Sequence, residues 1–341
     1  VGGLAGSSIT TGGSNVIIGY TAGDALTEAN SNVAVGKTAL TSDTLGSRSV
    51  AIGQSALFAQ NFTTATNNYN VGVGYSAGGA ITTGIQNTIV GGLAGDALTD
   101  ADFNTAVGVV ALSADTLGSH STALGHGALG AQNFTTATDT YNTAVGSQAG
   151  AAVTTGTINT LVGGLAGDSL TTGNSNTALG YDSLGAETQG DRNVAVGNAA
   201  LKNQNNSTDT DSYNTAVGYY AGLSVTTGKF NSIIGGLAGD ALTDADQNVA
   251  VGVNALTADT LGSNSTAIGF SALEAQNFTT ATDTFNTAVG YEAGHAITTG
   301  KNNTVVGGNA LSSDTLGSRS VAIGNGALAS QNFTTATLSY N

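Results

Sequence analysis

The sequence predicts an all-β chain folded as a parallel β-solenoid (β-roll), and three observations carry that prediction. A five-residue motif returns at a short fixed interval, whole residue types are missing, and the repeating unit is too short for a helix pair. The motif reads Asn or Ser, Thr or Val, Ala, Val or Ile, then Gly. Two variable residues follow, then Ala with Leu or Gly. Clear copies begin at Asn32, Ser49, Asn104, Asn248 and Ser320. Motif glycines are spaced 17, 17, 17 and 21 residues apart, giving a 72-residue super-repeat. Super-repeats start near Gly2, Gly74, Gly146 and Gly218, with a shortened one from Gly290. About 19 coils result, in a single repetitive segment spanning residues 1–341. Self-similarity at a fixed period marks a repeat architecture, whose ends need capping units. Val1 and Asn341 both fall inside a repeat, so the segment is expected to continue beyond them in a longer protein.

Composition agrees with copying of one unit. There are 51 Gly and no Pro, Cys, Met or Trp, and 9% of residues are charged. A residue absent from a duplicated unit is absent everywhere, whereas ordinary globular usage is broad. Lacking Cys, the chain has no disulfide staple and no thiolate metal site. The net charge of −15 argues against nucleic acid and anionic membranes, both of which need basic patches. No apolar run reaches the ~18 residues that span a bilayer, and no signal peptide is visible, so membrane insertion is not expected in this segment.

Within a coil, Thr105-Ala106-Val107-Gly108 reads as a short strand with side chains alternating between faces. Thr105 and Val107 share one face; Ala106 and Gly108 share the other, where a neighbouring backbone comes close. A later glycine recurs as Gly46, Gly84, Gly118, Gly228, Gly262, Gly300 and Gly317, and is expected to make a left-handed turn. Absence of Pro suits a chain whose amides serve a ladder between coils. The Asn four residues before the motif Gly is expected to form a hydrogen-bonded ladder along the stack. Seventeen residues at ~3.3 Å trace a perimeter of only ~56 Å, which encloses a thin core. Association of several chains around a shared apolar seam is the expected remedy, giving an elongated, trimeric rod roughly 90 Å long.

The strings NVAVG, SVAIG and NTAVG, each followed by two residues and Ala-Leu, resemble the head repeats of trimeric autotransporter adhesins. That resemblance covers essentially the whole chain. It implies left-handed parallel β-rolls, three chains to a rod, displayed on a bacterial surface to bind host or matrix. Repeats of phage tail fibres are similar. The coils of 17 and 21 residues are longer than the family's usual repeat of about fourteen, and no coiled-coil stalk or membrane anchor is visible.

The 21-residue coils carry Ala-Gln-Asn-Phe-Thr-Thr-Ala-Thr. Their Phe62, Phe134, Phe278 and Phe333 align with Leu45, Leu117, Leu261 and Leu316 of the preceding coils, so they are expected in the core. The following Thr-Thr-Ala-Thr is expected to bulge outward, a knob for lateral contact, adhesion or glycan attachment. Asn61, Asn133, Asn277 and Asn332 each begin an Asn-Phe-Thr string, read as coincidence rather than a glycosylation acceptor. Acidic residues keep the same rhythm: Asp24, Asp96, Asp168 and Asp240 at one position, Asp100, Asp102, Asp244 and Asp246 further on, and Asp43, Asp115, Asp259 and Asp314 in the next coil. Two readings stand: a carboxylate edge gathered around Ca²⁺, which takes six to eight oxygens, or a solvated acidic edge that prevents aggregation. Arg48, Arg192 and Arg319 are expected to pair at the surface with Asp43, Glu187 and Asp314. His120, His126 and His295 do not recur as a set. Glycine-rich strings such as Gly-Gly-Leu-Ala-Gly-Asp lack the Lys-Ser/Thr of a phosphate loop. With no base placed to activate a nucleophile, catalysis is not expected and no cofactor is called for beyond Ca²⁺.

The expected function is a structural extracellular filament or adhesin fibre segment at a cell surface. It would associate with itself laterally or end to end, and meet host or matrix glycans or proteins through repetition. The alternative is a segment of phage tail fibre or spike that contacts host-surface glycans. An ice- or mineral-binding array is disfavoured, because Thr pairs occur in only some coils.

Overall fold

A computed structural model describes residues 2–341, and among them there is no helix, hence none long and apolar enough to cross a membrane. The chain divides into two compact units, Val1–Thr172 and Gly173–Asn341. Each is a parallel β-solenoid. In the first unit the main ladder runs coil by coil from Val16–Ile18 through Val33–Val35, Val50–Ile52 and onward to Thr160–Val162. In the second it runs from Thr177–Leu179 to Val321–Ile323. Pairing is in register: Val33 faces Val50, Ala34 faces Ala51 and Val35 faces Ile52, all parallel. A fixed coil length produces this register, since each residue lies over its own counterpart one repeat away.

A second, two-residue ladder forms only where a 21-residue coil follows a 17-residue one. Gly46–Ser47 pairs with Thr66–Asn67 and Gly118–Ser119 with Thr138–Asp139; in the second unit Gly262–Ser263 pairs with Thr282–Asp283. The inserted residues precede the added strand, and Thr63, Thr64 and Ala65 are exposed, so the expected outward bulge is present. Phe62, Phe134 and Phe278 are 6–7% exposed, as expected of core residues. Phe333, in the last coil described, is half-buried.

The alternation read from the strand holds. Ala34, Ala51, Ala106 and Ala123 point inward and are fully buried. The flanking positions, Thr105 with Val107 and Val33 with Val35, point outward and stay half-exposed. The core is closed by the second half of the coil in two complementary ways. Some coils insert a leucine four residues after the motif Gly, such as Leu40, Leu57 and Leu112. Others place Gly there and an aliphatic residue three further on, as in Gly78 with Ile81 and Gly95 with Leu98. A Cβ on Gly78 would lie 2.9 Å from Ile81 Cδ1 and 3.0 Å from Leu57 Cδ2, so the two fillings exclude each other.

The left-handed turn does not fall where the sequence suggested. Gly46, Gly84 and Gly118 have ordinary φ; they are glycine because a Cβ would collide with the Asp43 carboxylate, the Ala101 carbonyl and the Asp115 carboxylate respectively. Positive φ instead recurs two and four residues after each motif Gly and five before it. Thr38 at 57°, Leu40 at 52° and Arg48 at 68° are examples. Most of these sites hold side chains that rarely adopt that region, at a cost of roughly 1 kcal/mol or more each that the surrounding ladders over-determine.

The asparagine ladder is present. Asn104 Oδ1 accepts the amide of Ser121 at 2.8 Å, and Asn104 Nδ2 donates to the Gly118 carbonyl at 2.9 Å. Asn87 serves the Asn104 amide in the same way at 2.9 Å, and these side chains are fully buried. Each Asn thus satisfies a turn amide and a turn carbonyl that no strand reaches.

Candidate functional site

Five carboxylates expected at the surface lie inside the coils. Asp43, Asp115, Glu187, Asp259 and Asp314 are fully buried. Asp115 Oδ1 accepts the amides of Gly118 at 3.1 Å and Phe134 at 2.9 Å, while Oδ2 accepts Gln132 Nε2 at 2.6 Å. Asp43 with Gln60 and Asp259 with Gln276 repeat the arrangement. In the Glu187 copy, Asn206 replaces the Phe and its Nδ2 adds a further bond to the carboxylate at 2.8 Å. Gln132 Oε1 then accepts from Asn142 Nδ2 at 2.9 Å, joining the acid to the asparagine ladder. The signal was present in the sequence as Asp-x-x-Gly with Gln 17 residues after the Asp, but a charged residue reads as exposed by default.

The other acids lie nearer the surface, Asp96, Asp100 and Asp102 sharing one coil and Asp240, Asp244 and Asp246 another. Thr41 donates to Asp24 and Thr257 to Asp240; Thr83 donates to Asp100 and Thr227 to Asp244. Asp102 Oδ1 accepts the Ile85 amide and Asp246 Oδ1 the Lys229 amide, each at 2.7 Å. Asp96 and Asp168 are half-buried at the position of Asp24. These acids do not stack, because the same position in adjoining coils is held by residues such as Thr41, Gly79 and Ser113. Among the described residues no three His, Cys, Asp or Glu side chains gather as a metal ion would need.

With their expected partners buried, the arginines pair elsewhere. They occupy a row five residues before the motif Gly, shared with exposed aromatics. Arg48 bonds the Tyr69 hydroxyl and lies over its ring at 5.3 Å. Arg319 does the same with Tyr340 at 5.4 Å, and Arg192 pairs with Asp211 over the ring of Tyr213. In this row His120 is stacked between Phe103 and Tyr141, with ring centroids 4.8 and 5.2 Å away. His295 lies 3.5 Å from Glu274, so the histidines form no common constellation.

The outward side of the main ladder is the most regular surface. Immediately before each motif Gly of the first unit stand Ile18, Val35, Ile52, Val73, Val90 and further aliphatics through Val162. Two residues earlier the row is Val or Thr, from Val16 to Thr160. The second unit repeats this from Leu179 to Ile323, with Ser232 at one position of the Val or Thr row. Neither row holds a charged residue, in a chain with 22 acidic and seven basic side chains. Exposure is substantial: 45% at Ile18, 44% at Leu124 and 42% at Ile234.

Burial pushes the carboxyls of Asp43, Asp96, Asp102 and Asp191 above their ordinary value near 3.8. A raised folded pKa means that the fold disfavours the charged form, so this contribution is largest below pH 3.8 and is lost as pH rises through the folded values. Asp102→Asn keeps an acceptor for the Ile85 amide and removes this cost, so its melting temperature relative to wild type is expected to be higher at pH 7 than at pH 4. An identical difference at the two pH values would contradict a raised Asp102 carboxyl.

The chain was compared with protein-family models, with curated proteins and with solved structures, and it matches none of them.

Proposed function

We propose that the chain is a structural fibre segment of the extracellular surface, without catalysis, which assembles with copies of itself through the outward face of its main ladders. The observation that carries this reading is the uncharged double row, one line aliphatic and the other Val, Thr or Ser, repeated along the main ladder of each unit. All-parallel sheets are stable when both faces are covered, and here one face covers only itself with alanine and leucine. A second copy is the suitable cover: it offers the same row at the same ~4.8 Å step, and no charge opposes charge across the contact. Resemblance of the NVAVG and SVAIG motifs to adhesin head repeats supports the same reading, including a trimeric arrangement and surface attachment or matrix assembly. Exposed Thr-Thr-Ala knobs and the arginine–aromatic row then remain outside, available for contact with host or matrix.

Val107→Lys with Val145→Lys and Val251→Lys tests it. These outward positions tolerate long side chains without entering the core, so circular dichroism should be unchanged. In sedimentation velocity the wild-type chain should show a mass that is a multiple of 33.2 kDa, and the triple variant a single-chain mass. A monomeric wild-type chain, or equal association of the variant, would overturn the proposal.

A further inference from the structure

One open groove lies where the first super-repeat meets the second. It lies on an edge of the first unit away from the outward face, has a volume of about 500 Å³, and crosses three consecutive coils. Phe58 forms one end, Asp96 the other, with Leu93, Ser55 and Ser76 along the sides and Gly79 at the floor. Phe58 and Asp96 occupy equivalent positions two coils apart, roughly 9.6 Å at ~4.8 Å per coil. The groove exists because the coil between them carries Gly79, where the sister super-repeats carry Ala151, Leu223 and His295. The aromatic wall is equally particular, since Phe58 is replaced by Gly130, Lys202 and Glu274 in the sisters.

The second observation concerns the carboxylate. Asp24 and Asp240, at the same position in their coils, each accept a hydrogen bond from a threonine of the next coil, Thr41 and Thr257. Next to Asp96 that threonine is Ser113, whose hydroxyl turns to the Gly130 carbonyl at 3.5 Å instead. Among the described residues Asp96 has no ion pair, and its carboxylate is held only by its own backbone amide. Partial burial against apolar neighbours raises its carboxyl above the ordinary value, as expected of a poorly hydrated acid without a counter-charge.

We propose that this groove binds a small organic ammonium ion with an apolar body, the ammonium on Asp96 and the apolar part against Leu93 and Phe58. The carboxylate supplies a charge-assisted hydrogen bond, the strongest polar contact the groove offers. Phe58 and Leu93, 43% and 38% exposed, supply apolar area that water covers in the free protein. A neutral alcohol would donate a weaker hydrogen bond without offsetting the charge, and an anion would be repelled. A bare metal ion would find one carboxylate and no companion, against the six or more oxygens that a hard cation requires.

The test uses phenethylammonium against its neutral analogue 2-phenylethanol, followed by calorimetry or ligand-observed NMR on the full chain. Phenethylammonium should bind saturably with a single site, at least tenfold more tightly than the alcohol. Three substitutions borrow residues that sister coils already hold at these positions, so each is compatible with the fold. Gly79→Leu copies Leu223 and fills the groove; binding should vanish. Ser113→Thr copies Thr41 and gives Asp96 the partner that its counterparts have; binding should weaken several-fold. Phe58→Lys copies Lys202 and should abolish it. Circular dichroism of each variant should match wild type. The proposal is overturned if the alcohol binds as well as the amine, if Gly79→Leu binds undiminished, or if no saturable binding occurs.

Discussion

Gly108→Ala is expected to be among the most damaging single-methyl additions in the first unit, lowering stability by about 3 kcal/mol or more. Gly108 has φ of +141°, where side chains are rarely tolerated. Its added Cβ would overlap the backbone carbonyl of Gly125 in the next coil. Two independent penalties therefore add. Backbone strain in such a region costs of order 1–3 kcal/mol, and the overlap cannot be relieved by a rotamer change because the obstacle is main chain. Moving Gly125 would in turn break the in-register pairing of Thr105–Val107 with Thr122–Leu124. Gly92→Ala is the control: φ there is ordinary and nothing lies within 4 Å of the new methyl. That variant should stay within about 0.5 kcal/mol of wild type in urea unfolding. Equal midpoints for the two variants would show that the motif glycines are not placed by close coil-to-coil contact.

Asp115→Ala is expected to cost nearly as much, by a different route. Removing the carboxylate leaves the Gly118 and Phe134 amides and Gln132 Nε2 without their acceptor inside a fully buried site. An unsatisfied buried donor costs about 1–3 kcal/mol, and three donors lose this acceptor together. Asp115→Asn retains an oxygen for both amides but sets its Nδ2 against Gln132 Nε2, and turning Gln132 would take its Oε1 from Asn142 Nδ2, so it should cost about 1–3 kcal/mol, less than Asp115→Ala. Hydrogen exchange separates the two variants. In Asp115→Ala the amides of Gly118 and Phe134 should lose protection before the main ladder does. Retained protection at those amides in Asp115→Ala would mean that the acid does not hold the turn.

The architecture was legible because a constant coil length turns a sequence period into a spatial register. Once Ala106 is known to face inward, Ala123 must as well, one coil later. The Asn ladder and the buried Phe62 followed from the same alignment. What stayed hidden was chemistry that depends on the third dimension. Asp43 and Arg48 share a coil and carry opposite charges, which suggested a surface pair; in the fold Asp43 turns inward to Gln60 while Arg48 meets Tyr69. Gly46 looked like a conformational glycine and is a steric one, cleared for the Asp43 carboxylate. The left-handed Leu40 and Leu57 gave no local warning, since leucine propensity points elsewhere and only the stacked coils impose φ near 50°. Asp96 could not be told from Asp24 by position; the difference lies in Ser113 against Thr41, one methyl group in the following coil.

The pairing of the buried acid with a glutamine one coil later bears on how genes of this kind can change length. Slippage during copying removes or adds whole coils without disturbing register, because every ladder partner is simply the next counterpart. The final block shows such an edit: Gly290, Gly307 and Gly324 remain, and the coil of the Gly91 type, with Gly95 and Leu98, has no counterpart. Asp314 and Gln331 survive together there, still bonded at 2.7 Å. An excision falling between them would strand a carboxylate opposite an aliphatic side chain. Recombination in such an array is therefore filtered by chemistry: coils with neither the buried acid nor its glutamine can be lost singly, whereas the acid and glutamine coils must be kept or lost as a pair.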